Sequence, residues 1–237
     1  MAEGLNMPVG VAFRDGSLYV SAVDRILRLD GIEARLASPP KPQVVSAALP
    51  KETHHGWKFI AFGPDGKLYV PVGAPCNICE PDPDRYANIM RMNADGIAAR
   101  SIRPRRAQFG GLRLAPADAA NCGSPTTAAT GWADDAPPCE LNHAPRAGMH
   151  FGYPYCHGGT LSDPEFGRKH ALQRIHRRRR AISAPHVAPL GMRFYTGAMF
   201  PAAVPQPDLH RRARLVEPVA QDRLPRDAGA ARGQTRR

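Results

Sequence analysis

No run of 18 apolar residues occurs in this 237-residue chain, which excludes an ordinary membrane-spanning helix. Helical periodicity is almost absent, and 25 prolines with 22 glycines favour strands and loops instead. Five cysteines (Cys76, Cys79, Cys122, Cys139, Cys156) are too few for a disulfide scaffold and form no repeated metal pattern. The stretch from Met1 to Met7 has neither a basic start nor an apolar core, so no export signal is visible there. Aromatic residues are sparse, at 7%.

Positive charge is what the chain has in excess. The formal net charge is +11, but it is unevenly placed. Residues 97–132 carry 5 Arg against 1 Asp, residues 169–180 carry 6 Lys or Arg and no acid, and residues 203–237 carry 8 Arg against 4 acids. Outside these windows the chain is slightly acidic. Only Phe109 and Trp132 among the aromatics fall inside the windows, so bases would find almost no rings to stack on between the arginines. Arg177 to Arg180 is therefore read as a solvated charge run rather than a nucleic-acid site.

The chain repeats itself. Gly10-Val11-Ala12-Phe13-Arg14-Asp15-Gly16-Ser17-Leu18-Tyr19-Val20 returns as Phe59-Ile60-Ala61-Phe62-Gly63-Pro64-Asp65-Gly66-Lys67-Leu68-Tyr69-Val70, with Leu18 and Leu68 in equivalent places. Each copy reads as a strand, a turn at Asp-Gly and a second strand. Arg25-Ile26-Leu27-Arg28-Leu29 alternates apolar and basic residues and reads as a third strand with one wet face. A repeat of about fifty residues built from antiparallel strands is the period of β-propeller blades, so the expected class is all-β.

Chemistry-bearing residues gather before the second hairpin, in Thr53-His54-His55-Gly56-Trp57-Lys58. Adjacent histidines at a strand entrance project to opposite sides, so one at most faces a central site. A neutral imidazole there can accept a proton from an alcohol or hydrated aldehyde. Trp57 reads as core or pocket wall. Cys76-Asn77-Ile78-Cys79 leaves open a local disulfide, free loop thiols, or a zinc site completed from Cys139, Cys156, His143 and His157; a single pair supplies only two of four ligands.

The passage from His54 to Glu80 resembles the glucose/sorbosone dehydrogenases that use pyrroloquinoline quinone (PQQ). Glu140-Leu141-Asn142 with Phe151-Gly152-Tyr153-Pro154-Tyr155-Cys156-His157-Gly158-Gly159 is similar to the family's stretch near calcium and cofactor, and residues 185–197 resemble a later blade. The resemblance implies a six-bladed β-propeller. It also implies oxidation of a sugar or aldehyde such as glucose or sorbosone by hydride transfer to PQQ, with calcium as Lewis acid. Residue by residue it implies His55 as the catalytic base, with His54, Trp57 and Lys58 at the cofactor and Glu140 and the backbone of Phe151 at calcium. Relatives of this kind are periplasmic or secreted. The electron acceptor is not implied, and the alternative is a non-catalytic propeller fragment that binds carbohydrate or a protein partner.

The family's arginine-asparagine cofactor motif is missing from residues 97–132. Back-translated with suitable codons and read two bases later, Asn121 to Trp132 yields LWFTDNGRDWL; Asp208 to Pro218, read one base later, yields IFIAEHGSWNR. Both strings resemble the family, so the basic windows are read as out-of-frame translation. The expectation is an incomplete arc of blades over residues 1–202, interrupted at 97–132 and 169–182 by disordered basic segments, with a disordered basic tail at 203–237.

Overall fold

The two copies of the Asp-Gly hairpin close with different turns, and one inserted proline accounts for the difference. In the first copy β1 (Val11–Arg14) pairs antiparallel with β2 (Ser17–Ser21), with Arg14 opposite Ser17. The two-residue loop Asp15-Gly16 has positive φ at both positions, 49° and 73°, which matches the right-handed twist of the strands. In the second copy β5 (Ala61–Phe62) pairs with β6 (Leu68–Val72) around Pro64-Asp65-Gly66. Pro64 presets a negative φ at the start of the turn. Only Gly66 then turns left-handed, at φ 72°, and the Gly66 N–H donates to the Gly63 carbonyl at 2.9 Å.

In this computed structural model the described residues are 3–101, 104–105, 113–115, 118–126, 136–144, 149–169, 179–185, 193–195 and 214–216. Each hairpin grows into a four-stranded antiparallel meander. Strands β3 (Ile26–Leu29) and β4 (Gln43–Ser46) complete the first sheet, and β7 (Asn88–Met92) and β8 (Arg100–Ser101) complete the second. A third sheet is ordered β10 (Arg113–Ala115), β11 (Asp118–Thr126), β12 (Pro138–Ala144), β16 (Arg179–Pro185). Short pairs make up the rest: β9 (Pro104–Arg105) with β13 (Met149–His150), β14 (Cys156–His157) with β15 (Leu161–Ser162), and β17 (Arg193–Tyr195) with β18 (Arg214–Val216). Among the described residues the helical elements are two 3-10 turns, Ile32–Arg35 and Gly167–Lys169, so the all-β expectation holds.

Parts of the basic windows are among the described residues and lie in strands. Strands β10 and β11 lie within 97–132, and β16 overlaps 169–182. A ladder joins backbone amides and carbonyls, so a segment poor in apolar residues can still enter one beside a partner strand. Residues 97–101, with β8, and β9 also fall in the first window and Lys169 opens the second; residues 102–103, 106–112, 116–117, 127–132 and 170–178, and the 203–237 tail apart from β18, lie outside the described residues.

Apolar layers join consecutive sheets. Tyr19 and Ile26 of the first sheet pack with Leu68, Val70 and Met92 of the second and with Ile60 just before β5. From the opposite face of the second sheet, Tyr69 and Ile89 pack with Ala144, Met149 and Phe151. Strand β6 is consequently buried at every position, whereas β2 is buried only at Tyr19 and Ser21. The far face of the first sheet leaves Val11, Phe13 and Val44 exposed. Ser21, itself buried, accepts from the Gly10 N–H at 3.0 Å and donates to the Lys58 carbonyl, which ties the first sheet to the segment leading into β5.

Candidate functional site

His54 and His55 are the two central residues of a β-turn. The Gly56 N–H donates to the Thr53 carbonyl at 2.9 Å, and His55 takes a left-handed conformation at φ 50°. Histidine tolerates that region better than most side chains. A turn, not a strand, therefore sets their directions, and the expectation of opposed rings is corrected: the centroids are 4.1 Å apart in an edge-to-face contact. His54 is exposed and His55 half-buried.

His55 is held from the end of β6. Its Nδ1 lies 3.0 Å from the carbonyl oxygen of Ala74. A carbonyl only accepts, so Nδ1 carries the proton in the neutral ring. Burial pushes the imidazole below its usual range, partly offset by backbone hydrogen bonds at Ala74 and Cys76. The close approach of turn and strand needs a residue without a side chain at Gly73, where an added Cβ would come 2.7 Å from the His55 Cβ.

The neighbours of the histidines differ from expectation. Trp57, read as core or pocket wall, is 55% exposed. Lys58 is 2% exposed, and its Nζ donates to the Gly56 carbonyl at 2.5 Å, so its ammonium closes the histidine turn from beneath. Desolvation lowers its pKa to about 8, against the attraction of Glu52. Through its bond to the Gly56 carbonyl Lys58 braces the turn.

Beyond β6 the chain turns through Ala74 to Glu80, where Cys76 and Cys79 form a disulfide with a Cα–Cα distance of 6.0 Å. Among the described residues no group of three His, Cys, Asp or Glu side chains is placed to hold a metal, so the zinc alternative finds no donor set there. Tyr153 closes on this loop. Its hydroxyl accepts from the Cys79 N–H at 3.1 Å and lies 3.4 Å from Cys76 Sγ, while its ring packs with Ala74 and Ala87. Tyr155 donates to Glu80 Oε1 at 2.5 Å, and Lys169 Nζ stands 3.5 Å from Oε2.

The other two sequence candidates belong to the third sheet and its extension. Glu140 lies in β12 opposite Thr126 and Ile182 and is buried, as are Asn142 and Ala144, which alternate with it. Phe151 buries its ring in the layer shared with Tyr69, so what it offers a cation is its backbone carbonyl. The structure brings the segment that begins at Phe151 onto the histidine side of the second sheet, with Tyr153 as the contact. Nothing in the sequence assigns Tyr153 or Tyr155 a role. Their alternation with Phe151 was visible, but the partners lie 74 and 75 residues away.

No protein-family model matches the chain. A curated protein of Borreliella burgdorferi, described as uncharacterized, is 28% identical over 216 residues, covering 85% of this chain and 55% of that protein. The chain thus spans about half the length of the curated relative it matches. Among solved structures, the holo PQQ domain of pyranose dehydrogenase from Coprinopsis cinerea superposes with a TM-score of 0.62 at 15% identity, over 82% of this chain and 69% of that one. A calcium structure of a Trichoderma reesei carbohydrate-active enzyme of family AA12 superposes at 0.63 with 18% identity, over 79% of this chain and 58% of that one. The chain has the fold shared by the PQQ domain of pyranose dehydrogenase and the AA12 carbohydrate-active enzymes.

Proposed function

We propose that this chain belongs to a PQQ-dependent dehydrogenase that oxidises a sugar or aldehyde, with His55 as the base that takes the substrate hydroxyl proton. The observation that carries this is the bond from His55 Nδ1 to the Ala74 carbonyl. It leaves Nε2 with its lone pair, and burial keeps the ring neutral at working pH. As the carbinol carbon gives up hydride, the hydroxyl proton passes to Nε2, and the resulting imidazolium returns it to solvent.

The residues present fit the two implied groups in a specific way. The exposed ring of His54, in contact with the base, and the exposed indole of Trp57, two residues after it, offer a donor and a stacking face to a planar quinone. Lys58, bonded to the Gly56 carbonyl, holds the turn that carries both histidines. Glu140 and the Phe151 carbonyl are hard oxygen donors of the kind calcium takes. When bound, PQQ supplies a hydride acceptor and calcium a Lewis acid. The parent fold in this reading is a six-bladed propeller of which the chain is an arc, and the Cys76–Cys79 bridge supports an oxidising compartment, periplasmic or extracellular.

The test is turnover. Purified chain incubated with PQQ and calcium is assayed with glucose, sorbosone and other aldoses against a dye acceptor. Dye reduction that requires PQQ and disappears in His55→Ala is the expected result; turnover unchanged in His55→Ala removes the base, and no turnover with any substrate removes the function. Sequencing the coding DNA across residues 97–132 and 203–237 tests the out-of-frame reading, which an intact frame with unrelated codons overturns.

A further inference from the structure

We propose that Tyr153 is a positioning residue for His55, acting through the disulfide loop from Ala74 to Glu80. The proposal rests on His55 being the base, and extends it to the question of what keeps Nε2, rather than Nδ1, free of the proton.

The Ala74 carbonyl selects the tautomer, and Ala74 lies just beyond the end of β6, where the ladder no longer fixes the chain. Two devices hold it. The Gly73 carbonyl accepts from the Ala87 N–H at 3.3 Å, which anchors the near side. On the far side the Cys76–Cys79 bridge makes the loop one short ring, and Tyr153 grips that ring at both ends. Its aromatic face packs with Ala74 and Ala87, and its hydroxyl accepts from the Cys79 N–H at 3.1 Å and faces Cys76 Sγ at 3.4 Å. The Tyr155–Glu80 hydrogen bond at 2.5 Å extends the grip by one residue.

A loop gripped by the hydroxyl cannot move its Ala74 end independently of its Cys79 end. Loosened, it carries the Ala74 carbonyl away from Nδ1, and the proton redistributes between the two ring nitrogens. The Nε2–H tautomer presents a donor where the substrate hydroxyl needs an acceptor, so the base is disabled without being touched.

The experiment reads the tautomer directly. Full-length chain labelled with 15N-histidine is compared as wild type, Tyr153→Phe and the double variant Cys76→Ser/Cys79→Ser, by long-range 15N–1H correlation at neutral pH, with His55 assigned from His55→Ala. The wild type shows Nδ1–H alone; both variants show a substantial Nε2–H population, and kcat falls about tenfold or more while KM for the sugar is held. An unchanged His55 pattern in Tyr153→Phe overturns the proposal. Should Tyr153→Phe not fold, wild type reduced with dithiothreitol gives the same reading, and an unchanged tautomer there overturns it equally. Wild type that shows Nδ1–H and the expected shift in the variants, but no PQQ-dependent turnover, refutes the proposed function while leaving the positioning role standing.

Discussion

His157 Nε2 lies 3.0 Å from Asp163 Oδ2, and both side chains are shut away from solvent. Asp163 is also bound from its other oxygen, which accepts from the N–H groups of Glu165 and Phe166 at 2.9 and 2.8 Å. Burial holds the His157 imidazole below its ordinary 6.5 even with the carboxylate pulling the other way. Between the lowered folded value and 6.5 the unfolded chain binds the extra proton, so this contribution to stability is complete above 6.5 and is lost as pH falls through the folded value. The midpoint of urea unfolding should drop as pH is lowered from neutrality, and His157→Gln should flatten that slope. A slope identical in His157→Gln excludes His157 as its source.

Lys58 titrates on the opposite side of neutrality. Its folded pKa of about 8 lies below the ordinary 10.5, so the unfolded chain holds more protons between those values and stability rises with pH across that window. Unfolding midpoints measured at pH 8 and pH 10 should show wild type gaining on Lys58→Met as the pH rises, by on the order of 1–3 kcal/mol. Equal gains in both proteins would place the ammonium in solvent.

Gly73 is where turn and strand meet. Gly73→Ala puts a methyl group 2.5 Å from the His55 carbonyl oxygen and 2.7 Å from its Cβ, and backbone cannot swing aside as a flexible side-chain end can. We expect a loss of about 1–3 kcal/mol from overpacking. PQQ-dependent turnover should fall more than stability does, because the displaced group is the histidine turn itself. Calorimetry paired with the dye assay separates the two effects; wild-type turnover in Gly73→Ala would detach the turn from catalysis.

Removal of calcium with a chelator should abolish the proposed dye reduction, and added calcium should restore it. Glu140→Gln keeps the shape of the side chain and removes its charge, so the calcium concentration for half-maximal restoration should rise about tenfold or more. An unaltered requirement would take Glu140 out of the donor set.

The hairpins were legible because their signal is local. Asp15-Gly16 and Asp65-Gly66 announce turns, and Arg25 to Leu29 wrote its alternation plainly enough to mark β3. Strand β7 carries a comparable pattern in Asn88-Ile89-Met90-Arg91-Met92. The histidine turn was harder, because a left-handed His55 carries no local signal of its own, and its neighbours there, Lys58 bonded to Gly56 and Gly73 alongside, come from folding. Least legible was the clasp of Tyr153 on the disulfide loop. Nothing in the spacing of 74 residues announces it, since it arises only when the segment after the third sheet comes to rest on the second. Trp57 misled for a related reason: apolar character predicts burial on average, but a turn at the edge of a sheet can leave an indole outside.

Strands with unequal walls should also breathe unequally. Amides of β6, covered on both sides, should exchange with deuterated solvent only through opening of the whole molecule, whereas those of β1, covered on one side and paired along one edge, should exchange early. Disassembly of this protein would then begin at Val11 and Phe13 and reach Leu68 last.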